Sequence, residues 1–317
     1  MGARIIAVAN EKGGVGKTAT VTTLAYFLAY YERRTLIVDL NPEQSNASSY
    51  YGLNKEVDTV IKIFQRKETR EDGSVVDLGD ISEFELRSLI KHTEYAYLDM
   101  IPGNRRLFLG EGFLDIDSSV DGHWYILKKA LSYIKNDYDY IFIDCGPSKS
   151  MLMTNALLCI DGLLIPLQDA KSSLDGLRDL LKFINTITNK RNPGMEILGV
   201  FLTMVDPRTT GYLEYRDTLE KTLGKKMLGS YIRFDSAFKD ADITSPVPVF
   251  KNDSPTVLDY ERLLYELNLL DGKEQASLHV DINVREKREK SLKEKRKEQK
   301  ERSIQKKIEA ALSAIKK

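Results

Sequence analysis

A glycine-rich loop lies where an apolar run passes into a helical repeat, and this junction restricts the chain to few folds. Residues 9–20 read Ala-Asn-Glu-Lys-Gly-Gly-Val-Gly-Lys-Thr-Ala-Thr. Ile5-Ile6-Ala7-Val8 precedes the loop, and Val21, Leu24, Ala25 and Leu28 follow it at helical spacing, so the order is strand, loop, helix. Gly13, Gly14 and Gly16 lack a Cβ. The backbone can therefore turn tightly and aim successive N–H groups at a polyphosphate, while the helix N-terminus adds a favourable dipole. The candidate nucleotide-binding residues are Gly13, Gly14, Val15, Gly16, Lys17, Thr18 and Ala19. Lys17 would reach the β and γ phosphates of ATP, and the Thr18 hydroxyl would face Mg²⁺. The strict phosphate-loop pattern asks for Gly at position 11, where this chain has Glu, and Lys12 adds a second lysine.

The rest of the chain supplies the remaining pieces of an α/β fold. Arg4–Ala9 reads as the first strand, Thr18–Tyr30 as the first helix, and Thr35-Leu36-Ile37-Val38-Asp39 as a second buried strand. Residues 43–96 are poorly patterned, apart from helical spacing within Ile81–Ile90. Tyr97–Asn104 reads as a strand ending in a tight turn, and His123–Lys135 as a helix. Tyr140-Ile141-Phe142-Ile143-Asp144 is four apolar-rich positions ending in a carboxylate, the pattern of a strand whose terminal Asp holds the Mg²⁺ shell. Thr18 and Asp144 are thus the candidate metal ligands. Strands follow at Gly162–Leu167, Glu196–Met204 and Met227–Ile232, with helices at Ser172–Thr188, Gly211–Leu223 and Val257–Leu270. The alternation predicts an α/β P-loop NTPase fold, a mostly parallel twisted sheet with helices on both faces. No separate DNA-binding domain is expected ahead of the loop.

Composition divides the chain. Its 317 residues, 42% of them hydrophobic, suffice for one large domain plus an extension. The net charge is zero, yet residues 273–317 hold 15 basic and 8 acidic residues, a surplus of +7 that leaves −7 for the remainder. The expected organisation is an ATPase domain over residues 1–271 and a basic, charge-rich helical extension over residues 272–317. Arg285–Arg302 is almost all Lys, Arg, Glu and Gln, and Ile304, Ile308, Leu312 and Ile315 then form an apolar stripe. Three roles fit this tail: a solvated helix that packs on the body or a partner, a basic nucleic-acid-binding arm, or a membrane-surface helix. Cys145 and Cys159, with no secretory signal and no run of 18 apolar residues, predict a reducing cytoplasm. Two cysteines and three histidines argue against a zinc site or a bridging iron–sulfur cluster, and Trp124 reads as a packing residue.

Lys-Gly-Gly-Val-Gly-Lys-Thr at 12–18 resembles the deviant Walker A motif of the ParA/MinD family. Cys145-Gly146-Pro147-Ser148 is similar to that family's Asp-Cys-Pro-Pro-Ser, with Gly146 replacing the first proline. Tyr97–Asn104 looks like its Leu-Asp-Val-Ile-Pro segment, and Leu202-Thr203-Met204-Val205-Asp206-Pro207-Arg208-Thr209 resembles the Leu-Thr-Met-x-Asp-x-Arg-Thr segment of ParA partition ATPases. These matches span most of residues 3–270.

The resemblance implies an ATP-dependent sandwich homodimer in which Lys12 reaches the partner subunit's nucleotide. It also implies nonspecific DNA binding, positioning of plasmids or chromosomes with a ParB-type centromere-binding partner, and a nucleoid-associated location. By analogy Arg208 lies near the DNA surface. A second family arginine would fall near Ala237, and Arg233 or Lys239 could substitute, because phosphate contacts need charge more than register. Met204 and Asp206, at a strand's C-terminal end, are candidates for holding the adenine. The alternative within the family is a MinD-like membrane-surface ATPase using the terminal stripe, although its apolar residues are few and the acids before it argue against a membrane role.

One departure concerns catalysis. The family reads Asp-x-Asp-Pro with the second Asp beside the attacking water, whereas this chain reads Asp39-Leu40-Asn41-Pro42. An amide can accept a hydrogen bond from water but cannot act as a base. Losing a positioned base costs roughly 10²–10⁴-fold in rate. With Lys12, Lys17, Asp39 and Asn41 as the catalytic set, the expectation is a chain that binds ATP and dimerises but hydrolyses slowly. Three explanations stand open: an introduced change that traps the ATP state, a naturally hydrolysis-poor chain, or a carboxylate supplied by Glu43.

Overall fold

Strands buried on both faces read as unbroken apolar runs, and four such runs form the centre of the molecule. In the computed structural model, which describes residues 2–41, 46–69, 72, 74–107, 121–168, 172–234 and 254–315, they are β1 (Arg4–Val8), β2 (Thr35–Leu40), β7 (Tyr140–Cys145) and β8 (Gly162–Gln168). Between β2 and β7 lie a short antiparallel pair, β3 (Lys67–Thr69) with β4 (Val75–Asp77), then β5 (Lys91–His92) and β6 (Leu98–Ile101). The chain adds β9 (Glu196–Val205) and β10 (Met227–Arg233). The main sheet runs β10-β9-β8-β1-β7-β2-β6-β5 and is parallel except for β5, which pairs antiparallel with β6.

The strand order places the chemistry. From β1 the chain goes outward to β2 and β6, returns to insert β7 between β1 and β2, then crosses to β8 on the other side of β1. Such a reversal opens a crevice at the C-terminal ends of the central strands. In register, Val8 of β1 pairs with Asp144 of β7, and Asp144 pairs with Asp39 of β2. The ends carrying the glycine-rich loop and both carboxylates are therefore level.

Helices cover the sheet. Lys17–Tyr30 buries Val21, Leu24, Ala25 and Leu28, the residues whose spacing predicted it. Glu83–Leu89 begins at a capping box, with Ser82 accepting from the Glu85 N–H while Glu85 holds the Ser82 N–H. Met151–Cys159, which the sequence reading did not pick out, is capped by Ser150 and buries every residue but the first. Ser172–Arg191, Thr210–Leu223 and Pro255–Leu267 are further helices of this unit, each within a few residues of its predicted bounds, and the shorter Asn46–Tyr50, Ile61–Phe64 and Ile126–Ser132 lie between β2 and β7. Trp124 is half-buried against the core, with the Arg191 guanidinium 4.0 Å above its ring.

The chain divides into two compact units, Met1–Leu267 and Asn268–Lys317. The second is built on one helix, Gly272–Ile315, of 44 residues. Its Lys293–Glu289 pair at 2.8 Å illustrates the i,i+4 pairing that its composition favours. Among the described residues no helix is long and apolar enough to cross a membrane.

Candidate nucleotide site

The loop after β1 is shaped by backbone that only glycine adopts cheaply. Gly14 and Gly16 sit at φ of 72° and 87°, and Gly16 is the N-cap of the helix Lys17–Tyr30. A Cβ added at Gly13 or Gly14 would meet nothing within 4 Å, so this stretch faces open space. Three side chains pin the loop. Asn10 donates to the Pro166 carbonyl at 2.7 Å and accepts the Lys12 N–H at 3.0 Å. Thr203, from β9, donates to the Val15 carbonyl at 2.9 Å and has the Leu167 carbonyl at 3.2 Å. Thr20 donates to the Gly16 carbonyl at 2.7 Å.

The two lysines differ in setting. Lys17 is buried and donates to the Lys12 carbonyl at 3.1 Å, which holds its ammonium across the loop. Lys12 is exposed. Ala19 is half-buried one turn into the helix.

The donor set fits a divalent cation. Thr18 Oγ1 donates to Asp144 Oδ2 at 2.7 Å, while Asp144 Oδ1 is buried without a hydrogen-bond partner. A buried carboxylate oxygen left unpaired is costly unless something arrives to use it. Burial, reinforced by the neighbouring Asp39, pushes the Asp144 carboxyl up to about 8, against the opposing pull of Thr18 and Lys17. Thr18 and Asp144 would hold Mg²⁺, which when bound neutralises charge on the phosphates.

Asp39 links the end of β2 to Ser48. It is fully buried, and desolvation raises its pKa although three hydrogen bonds oppose the shift. Its Oδ1 accepts the Asn41 N–H at 3.0 Å, and its Oδ2 accepts the Ser48 N–H at 3.0 Å and the Ser48 hydroxyl at 2.6 Å. Ser48 Oγ in turn accepts the Gly103 N–H at 2.9 Å. Asn41 is buried at the C-terminal end of β2, two residues past the Asp39–Asp144 register pair. Pro42 and Glu43 lie outside the described residues, as do Ala237 and Lys239.

The more distant candidates are placed as follows. Met204 takes φ of 56° at the end of β9, next to Thr203 and hence beside the loop, with its sulfur 3.2 Å from Gln168 Nε2. Asp206 and Arg208 form a two-pronged pair at 2.8 and 2.6 Å, which holds the Asp206 carboxyl down to about 2. Each is occupied by the other, though the Arg208 side chain remains 86% exposed. Arg233 is engaged inwardly, gripping the fully buried Asp259 at 2.8–3.1 Å and the Pro255 carbonyl at 2.8 Å. A phosphate contact from Arg233 would have to compete with that internal pair. Asn10, Ser48, Gly103 and Thr203 are the site residues that sequence reasoning missed. Asn10 and Thr203 lie inside motifs that were noticed, whereas nothing in the local pattern marks Ser48.

Comparison with known proteins agrees with this geometry. A family model described as an AAA domain matches residues 3–197. The sporulation initiation inhibitor protein Soj of Bacillus subtilis is 35% identical over 230 residues, 72% of this chain and 83% of Soj. The chromosome-partitioning ATPase Soj of Treponema pallidum is 30% identical over 273 residues, 86% of this chain and 99% of that protein. Among solved structures, cobyrinic acid a,c-diamide synthase from Mycobacterium smegmatis, with bound ATP analogue and magnesium, is 27% identical. It superposes with TM-score 0.63 over 79% of this chain and 93% of the synthase. A plasmid partition protein from Borrelia burgdorferi shares the fold at TM-score 0.62 and 22% identity, over 83% and 97% of the two chains. With the paired-lysine loop, the Thr18–Asp144 pair and these relatives in agreement, the chain belongs to the ParA/Soj family of partitioning ATPases.

Proposed function

We propose that this chain is an ATP- and Mg²⁺-dependent molecular switch that closes into a homodimer and binds DNA without sequence preference. In that role it would segregate a plasmid or chromosome with a ParB-type partner, in the cytoplasm on the nucleoid. The observation that carries the proposal is the division of labour between the two lysines. Lys17 is buried and held across its own loop, whereas Lys12 is exposed beside it, suited to reach a nucleotide in a facing copy. Asp39 ties the end of β2 to Ser48, and through it to Gly103, while its carboxylate also accepts the Asn41 N–H. Asn41 can orient a water through its carbonyl but cannot take a proton, so the switch closes readily and reopens slowly.

DNA binding would follow from closure, which pairs two copies of each exposed cation, with Arg208 and the basic extension as the candidate contacts. Titration of a random-sequence duplex in Mg-ATP and in Mg-ADP tests this. Binding that needs ATP and weakens as salt rises is expected, and equal binding in both nucleotide states would contradict it. The MinD-like reading predicts that the chain sediments with anionic liposomes in ATP and loses this on removal of residues 303–317.

A further inference from the structure

A cavity of about 520 Å³ lies next to Ser48 and Gly103 but outside the nucleotide site, on the end of the helix Asn46–Tyr50, the segment after it and the turn after β6. Its walls include Ser49, Asn54 and Lys55 on one side and Asn104, Arg105 and Arg106 on the other. The acid among its lining residues, Glu56, is offset by Lys91 at 3.6 Å. Lys55, Arg105 and Arg106 are exposed, and their side chains make no ion pair or hydrogen bond among the described residues. Three cations without a partner among the described residues therefore line one concavity, in a chain whose first 272 residues carry a net charge of −7.

The cavity has a defined shape. Asn104 spans it, donating to the Glu56 carbonyl at 3.5 Å and accepting the Arg106 N–H at 2.9 Å, which fixes the turn that presents both arginines. Both walls also meet one residue deeper, where buried Ser48 accepts the Gly103 N–H while its hydroxyl donates to Asp39. The apolar lining is slight, with Val57 directed to solvent at 68% exposure. The cavity thus offers charge and polar groups rather than a platform for a base or a hydrocarbon. Guanidinium groups suit phosphate because they present several donors in a planar fork.

We propose that this cavity is a second phosphate site, which takes a phosphate-rich ligand through Lys55, Arg105 and Arg106. The source is either a free condensed phosphate or the phosphodiester backbone of a nucleic acid. The site stands apart from the P-loop and does not depend on the partition reading.

Titration calorimetry of inorganic tripolyphosphate into the full-length Lys17→Ala chain, without Mg²⁺, reads the cavity with P-loop binding weakened. Saturable binding is expected that falls on the order of tenfold or more when Arg105→Ala and Arg106→Ala are added, and that Arg178→Ala, at an exposed arginine of the helix Ser172–Arg191, leaves unchanged. If Lys17→Ala fails to fold, the same comparison is made in the otherwise unaltered chain with a non-hydrolysable ATP analogue filling the P-loop. A duplex DNA arm identifies the source: loss of DNA binding in the arginine double variant points to the backbone, and retention points to free phosphate. Tripolyphosphate binding that is absent, or equal with and without the two arginines, overturns the proposal. ATP-dependent dimerisation is scored separately, so its failure would remove the partition reading and leave this site standing.

Discussion

At position 41 the side chain is a buried amide whose backbone N–H is held by the Asp39 carboxylate. Asp39 retains its bonds to the Asn41 N–H and to Ser48, so geometry is preserved while the basic group is missing. Asn41→Asp should raise phosphate release by roughly 10²–10⁴-fold, measured under single-site saturation with ATP. Unchanged turnover would show that Asn41 is not the limiting group. Asp144 gives a second test. Its folded carboxyl, pushed up to about 8, lies above the ordinary 3.8 of an exposed aspartate. The folded state therefore binds the proton more tightly than the unfolded chain, and this contribution to stability is present at low pH and lost as pH rises through that window. Mg²⁺ requires the carboxylate, so uptake of Mg-ATP at pH 7 should release a proton. Calorimetry in buffers of differing ionisation enthalpy checks it, and a binding heat that does not vary with the buffer would contradict the assignment.

Among the elements, the sequence revealed buried strands as unbroken apolar runs and half-exposed helices as apolar stripes. β1, β2, β7 and β8 are apolar along their length because both faces are covered, and Ser172–Arg191 has a clear helical stripe because one side meets solvent. Met151–Cys159 was illegible because it is buried on all sides and carries no stripe to detect. The antiparallel pair Lys67–Thr69 and Val75–Asp77, and the two-residue β5, are too short for period-two alternation to register. The phosphate loop and Asp144 were readable from local pattern, since the chemistry needs particular residues at fixed spacing. The Asp39–Ser48–Gly103 clamp was not, because its members are distant in sequence and meet only when β2 and β6 pair. Gly103 tests that clamp. A Cβ there would lie 2.6 Å from the Asp39 carbonyl oxygen, a backbone atom that cannot swing aside. Gly103→Ala should cost on the order of 1–3 kcal/mol of stability and weaken nucleotide binding. A Tm and an ATP affinity matching the parent would show that the turn tolerates the methyl group.

For the molecule as a whole, neutral net charge conceals a basic extension of +7 on an acidic remainder of −7. Binding of a polyanion therefore depends on where cations are gathered rather than on total charge. A buried lysine fixed within its own loop and an exposed lysine beside it make sense together if the second serves a facing copy. Light scattering coupled to size exclusion tests that claim most directly. The full chain should run at its monomer mass of 36.1 kDa in Mg-ADP and at twice that mass in saturating Mg-ATP, with Lys12→Ala remaining monomeric in both. A chain that stays monomeric in saturating Mg-ATP, or that dimerises equally with ADP, would contradict the account.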